Sequence, residues 1–108
     1  MTEVAPELTQ ESIVDATLRL IQRVGLEAVT MRSLAEELGV SHMASYYHVR
    51  NKDSLLRLAA DSVMANVFVP GPEAGEWPER LKGVFRSLRE ALAPYPGLGP
   101  YILESDRP

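Results

Sequence analysis

His42, Ser45, Tyr46, Tyr47 and His48 crowd the stretch from residue 42 to residue 48, with Ser41 before them and Asp53 shortly after. Three chemistries draw on such residue types. Ser41, His42, His48 and Asp53 include the members of a hydrolytic triad, but no nucleophile elbow or oxyanion loop accompanies them. No Gly-rich phosphate loop is present either, so the residues argue against an enzyme. A metal site fails on spacing. His42 and His48 are not related as i and i+4 on one helix face, no third ligand stands near, and the chain has no cysteine, so neither metal nor cofactor is expected. Recognition remains. A short helix rich in donors, acceptors and flat apolar surface is suited to base edges and thymine methyls in a DNA major groove, and packing alone would not call for these residues.

The elements that must position them read as helices. Ile13, Ala16, Thr17, Leu20, Ile21 and Val24 recur at helical spacing, with Glu11, Arg19, Gln22 and Arg23 off the stripe. This predicts a first helix over 9–24, with Thr9 as N-cap and Gly25 as a left-handed C-terminal residue. Met31, Leu34, Ala35 and Leu38 form a shorter stripe, capped by Thr30 and stopped by Gly39, whose backbone the turn needs at positive φ. Ser41 can cap a third helix, from His42 to about Val49. Asn51 can cap a fourth, running to about Val67 with Leu55, Leu56, Leu58, Ala59 and Val63 inward and Asp53 near its positive end. The second helix, tight turn and third helix are the parts of a helix-turn-helix, whose second member enters the major groove. Arg32 and Lys52 bracket it as phosphate-reaching cations at helix starts.

Beyond that lies a loop over 69–78, punctuated by prolines and glycines. Pro78 suits the first turn of a fifth helix with Leu81, Val84, Phe85, Leu88 and Leu92 on one apolar face, which reads as core. The stretch 94–100 should break that helix, leaving too few residues for a further hydrophobic layer. No alternating strand pattern, repeat or low-complexity tract is visible.

The 108 residues suffice for one domain or one domain plus the start of another, and 45% hydrophobic with 24% charged residues excludes wholesale disorder. The opening MTEVAPELTQES lacks the features of a secretory signal and no stretch is apolar enough to span a bilayer, so a cytoplasmic location is expected. The net charge of −4 does not by itself favour a polyanion. Locally the balance reverses: Arg32, Arg50, Lys52 and Arg57 outnumber Glu36, Glu37 and Asp53 between residues 31 and 57.

The run LEAVTMRSLAEELGVSHMASYYHVRNKDSLL, Leu26 to Leu56, resembles the DNA-binding domain of the TetR family of transcriptional regulators. Its LGVS, tyrosine pair and HVRNKDSLL ending stand at that family's spacings, and the likeness extends through EWPERLKGVFRSLREAL to DRP, nearest to the tetracycline-repressor-like branch. The resemblance implies an all-α chain: a three-helix helix-turn-helix domain over 1–51, then a linking fourth helix and the first helices of a helical effector-binding and dimerisation domain over 52–108, apparently truncated. It implies a repressor that binds a palindromic operator as a homodimer and is released by a small-molecule effector. Carried over by position, Arg32, Ser41, His42, Met43, Ala44, Ser45, Tyr46, Tyr47, His48 and Lys52 become the DNA-facing set, with Tyr46, His48 and Lys52 on phosphates. Tyr47 reads equally as a core aromatic. Phe68, Val84, Phe85 and Leu88 fall on the effector side. Val84 and Leu88 stand where tetracycline repressors place an Asn and a Phe, and roughly Ile102 where they place a magnesium-liganding His, which argues against tetracycline-magnesium. The competing reading is an all-helical protein-protein module without DNA binding.

Overall fold

A computed structural model of the chain describes residues 9–46 and 49–105. These form α1 (Gln10–Val24), α2 (Met31–Leu38), α3 (His42–Ser45), α4 (Lys52–Met64), α5 (Trp77–Leu92) and α6 (Leu98–Ser105), with single 3-10 turns at Leu26–Ala28 and Pro72–Ala74. There is no strand among the described residues, so the chain is all-α as expected. None of these helices is long and apolar enough to cross a membrane.

Side chains start the first four helices. Thr9 and Thr30 each accept from the backbone N–H three residues on, and Ser12 and Ser33 accept in return from the cap N–H groups, so two otherwise orphan donors are satisfied at each start. Ser41 caps α3 through Ala44 N at 3.1 Å, and Asn51 caps α4 through Ser54 N at 2.9 Å. Gly39 ends α2 at φ 72° and ψ 30°, the left-handed conformation expected of it. Its N–H donates to Glu36 O, and that of Val40 to Ala35 O, which is a Schellman closure. Gly25 also has positive φ, 84°, but its ψ of 154° is extended, so α1 ends in a straight exit and not in the left-handed residue expected.

The core lies where α1 packs on both α2 and α4, and α2 on α3. Ile13, Ala16, Leu20 and Ile21 meet Leu34, Leu55, Leu56, Ala59 and Val63 there, joined by Val29, Val49 and Leu98. Thr17, buried with them, satisfies its hydroxyl on Ile13 O at 2.8 Å. Val24, the last member of the predicted stripe, is 47% exposed and stays out of the core.

The C-terminal half departs further from expectation. The regular part of α4 stops at Met64, short of Val67, and Ala65 and Asn66 continue as a turn closed by Val67 N on Met64 O. The loop before α5 contains the Pro72–Ala74 turn, and α5 starts at Trp77 with Pro78 in its first turn. Its apolar stripe, expected in the core, is only partly covered: Trp77, Leu81 and Phe85 are exposed and no residue is fully buried, while Val84 and Leu88 are half-buried and Leu92 packs against the core. The side carrying Gly83 and Ser87 is crossed by the 68–70 segment, where Phe68 N donates to Ser87 Oγ at 2.6 Å, and α4 packs on α5 with Ala91 and Leu92 resting against the core. A Cβ at Gly83 would stand 2.8 Å from Pro70 Cγ, so that crossing needs glycine. Residues 94–100, read as a breaker, interrupt the chain only briefly. Pro100 falls in the first turn of α6, where a missing N–H costs nothing, and Leu98 is fully buried in the core.

Candidate nucleic-acid interface

α3 has only four residues in regular helix, shorter than the expected run to Val49, and its burial has a clear direction. Ser45 is 1% exposed and donates its hydroxyl to His42 O at 2.6 Å; Ala44 is half-buried. His42, Met43 and Tyr46 are exposed on the other side. The rings of His42 and Tyr46, one turn apart, lie with centroids 5.4 Å apart and tilted by 57°, so each restricts the other's rotamers. Met43 stands beside this pair, 74% exposed. Ser45 therefore anchors α3 and does not share the outward face assigned to it. Ser41 spends its hydroxyl as an acceptor on Ala44 N, which leaves the hydroxyl proton for an external acceptor. Tyr47 and His48 lie outside the described residues. Val49, just after them, is buried and returns the chain to the core.

The bracketing cations differ in state. Arg32 is exposed in the first turn of α2. Lys52, half-buried at the first position of α4, donates to Glu27 O at 3.2 Å. That uses one of three ammonium protons and holds the head group beside the α4 N-terminus, with two protons to spare. On the far side of α2, Glu37 binds Arg23 at 2.7 Å and Arg19 at 3.4 Å. The hydrogen bond from Arg23, then its charge and Arg19, hold the Glu37 carboxyl below its usual range against some desolvation. Arg19 and Arg23, off the apolar stripe and still exposed, thus tie α1 to α2.

Sequence reasoning missed a second tie. Tyr101 of α6 donates to Asp53 Oδ1 at 2.8 Å, with Asp53 O at 3.2 Å, and Arg57 closes the other carboxylate oxygen at 3.1 Å. Leu26 N donates to Pro96 O at 3.0 Å nearby. Asp53 is the residue after Lys52, so α6 is fastened to the start of the helix that carries the cation. Nothing in the spacing of residues so far apart announces that contact. Asp53 is held below its ordinary value by Tyr101 first and Arg57 second.

The residues placed on the effector side do not converge. Phe68 borders an open groove of about 340 Å³ with Pro70, Gly83, Arg86 and Ser87. Val84, Phe85 and Leu88 are absent from its lining, and the helical repeat puts Phe85 and Leu88 on the other side of α5. No cluster of His, Cys, Asp and Glu that could hold a metal exists among the described residues.

Residues 13–59 match the model of the family described as bacterial regulatory proteins, tetR family. An HTH-type transcriptional regulator of Saccharopolyspora erythraea is 35% identical over 103 residues, covering 95% of this chain and 43% of that protein. The Streptomyces coelicolor TetR family protein ActR, solved in complex with actinorhodin, superposes with a TM-score of 0.82 at 42% identity over 97% of this chain and 48% of its own. BioQ, solved with its double-stranded DNA operator, gives a TM-score of 0.74 at 32% identity, covering 82% of this chain and 53% of its own. The chain thus spans about half the length of the relatives it matches or less.

Proposed function

The chain belongs to the tetR family of bacterial regulatory proteins, and on that premise we propose that it is a sequence-specific, DNA-binding regulator of transcription, a repressor released by a small-molecule effector. The observation that carries this reading is the polarity of α3. Ser45 ties the helix inward, while His42, Met43 and Tyr46 stay exposed, with no packing role that would explain them. In a helix-turn-helix that exposed face is the one that enters the major groove.

In this reading His42 and Met43 meet base edges, Tyr46 and Lys52 meet phosphates, and Arg32 adds a phosphate contact from α2. Ser41 and Ala44 approach the backbone of the duplex at the helix start, and Tyr47 and His48 keep the DNA-side roles that the family resemblance assigns. Residues 1–51 serve as the DNA-binding unit and 52–108 as the link and the first part of the regulatory unit, with α4 joining both through one continuous core. BioQ with its operator and ActR with actinorhodin support the two halves of the proposal, DNA and a small molecule. A homodimer on a palindromic operator, in the cytoplasm, completes it; Phe68, Val84, Phe85 and Leu88 are its effector-side residues, Phe85 exposed and Val84 and Leu88 half-buried on a partly covered face of α5.

That exposed α5 stripe also favours the second reading, an all-helical protein-protein module without DNA binding. Selection from a pool of randomised duplexes separates the two. Enrichment of a defined, two-fold related sequence is expected; recovery of a random pool after repeated rounds would contradict DNA reading and leave the adaptor.

A further inference from the structure

Resting on the DNA-reading proposal, we propose that Met43 reads the C5-methyl group of a thymine in the operator, and so fixes a base that the polar residues of α3 leave open. Met43 is 74% exposed on a helix whose inward side is already filled by Ser45, and it takes no part in the hydrophobic core. About 100° per residue separates positions on a helix, so Met43 flanks the His42–Tyr46 ring pair instead of lying beneath it. The outward face is therefore one apolar, flexible thioether next to two rings with polar edges. His42 and Tyr46 can exchange hydrogen bonds with base edges or phosphate oxygens. Met43 cannot, and it gains free energy only by losing water against another apolar group.

The floor of the major groove offers one such group, the thymine methyl. Cytosine presents an amino group at its edge, adenine an amino group and a ring nitrogen, and guanine two acceptors. A methionine placed against any of these would strip water from a polar edge without replacing its hydrogen bonds. Thymine alone of the four adds an apolar group, its C5-methyl, beside its O4 acceptor, and a methionine on that methyl leaves O4 to water or to the polar side chains. The three rotatable bonds of methionine let the thioether reach a methyl whose exact position varies with local DNA shape. A 5-methylcytosine carries the same methyl, with an amino donor where thymine has O4, so the contact as such recognises a C5-methylated pyrimidine; thymine is the occupant assigned here, as the base that carries this methyl in unmodified DNA.

The test uses the duplex enriched from the randomised pool, with each thymine replaced in turn by deoxyuridine, which removes the methyl and nothing else. At one thymine of each half-site the wild-type chain should lose roughly three- to tenfold in affinity, the worth of about one buried methyl. Met43→Ala should be indifferent to that replacement, Met43→Leu should retain the preference, and Met43→Gln should lose it. Because the side chain is exposed, all three variants should melt with wild type. Placing cytosine and then 5-methylcytosine at the same position distinguishes the sources: a 5-methylcytosine duplex bound as tightly as the thymine one would overturn thymine as the occupant. Uridine tolerated at every position, or equally costly for Met43→Ala, would overturn the Met43 assignment while sequence-specific binding stood. Failure of any duplex to be enriched would remove the parent reading and this one together.

Discussion

Lys52 illustrates how a single side chain is prepared for phosphate. Its ammonium rests on Glu27 O at the first position of α4, so binding DNA requires no search through rotamers and only the sharing of a group already in place. Tyr46, held by the ring of His42, is prepared in the same sense. Tyr46→Ala and Lys52→Ala should therefore weaken binding about equally on selected and scrambled duplexes, and each should lower the slope of log affinity against log salt by about one contact. Anisotropy titrations over a range of salt would check it, and lost discrimination with unchanged non-specific affinity would contradict it. Residue types at this scale were legible in the sequence, whereas directions were not. A helix of four residues is too short for periodicity to say which side is buried, which is why Ser45 was read as facing DNA and is found beneath α3. Tyr101 and Asp53 were illegible for a different reason: each is an ordinary surface type until α6 brings them together.

Among the elements, the turn between α2 and α3 was the most legible. A stripe ending at Leu38, then Gly39, then a serine cap leaves few ways to reverse the chain, and the observed φ of 72° at Gly39 is the one expected. No atom lies within 4 Å of a Cβ built at Gly39, so a substitution there meets strain in its own backbone and not a clash with neighbours. Gly39→Val should destabilise the chain by at least about 1 kcal/mol, since a β-branched residue disfavours the left-handed region. DNA affinity should fall as well, through the tilt of α3, even where circular dichroism still reports helices; wild-type melting and binding would contradict both. In the C-terminal half α5 was legible as an amphipathic element but not in how it packs. Periodicity locates an apolar face on α5 without saying what covers it, and the proline-rich stretch hid α6 because Pro100 occupies a first-turn position that tolerates it.

The whole molecule is elongated, 57 × 36 × 23 Å, with a radius of gyration of 16.6 Å against the roughly 13 Å of a compact domain near this length. The excess reflects one core at the α1–α2–α4 end and an α5 that touches it only through its last turns, at Ala91 and Leu92. Leu98 and Tyr101 are what return α6 to that core. The Tyr101 phenol is pushed up from 10.0 to about 12, by partial burial first and by its hydrogen bond to Asp53 second. Its neutral form is the one the fold favours, so this contribution is complete below pH 10 and is lost as pH rises through about 12. Tyr101→Phe should lower the melting temperature near neutral pH and flatten the loss of stability between these limits; thermal melts with the wild-type alkaline profile would show that the tie is not made.

Amide chemical-shift mapping on the labelled chain, with the selected duplex added in steps at low salt, reports most directly whether the outward face of α3 is where DNA docks. Perturbations should gather at residues 30–32, 41–46 and 51–52, around Arg32, His42, Met43, Tyr46 and Lys52, and should shrink as salt is raised. Perturbations confined to the exposed stripe of α5 around Leu81 and Phe85, with residues 41–46 unmoved, would contradict a DNA-reading α3 and identify the apolar face as the working surface of the molecule.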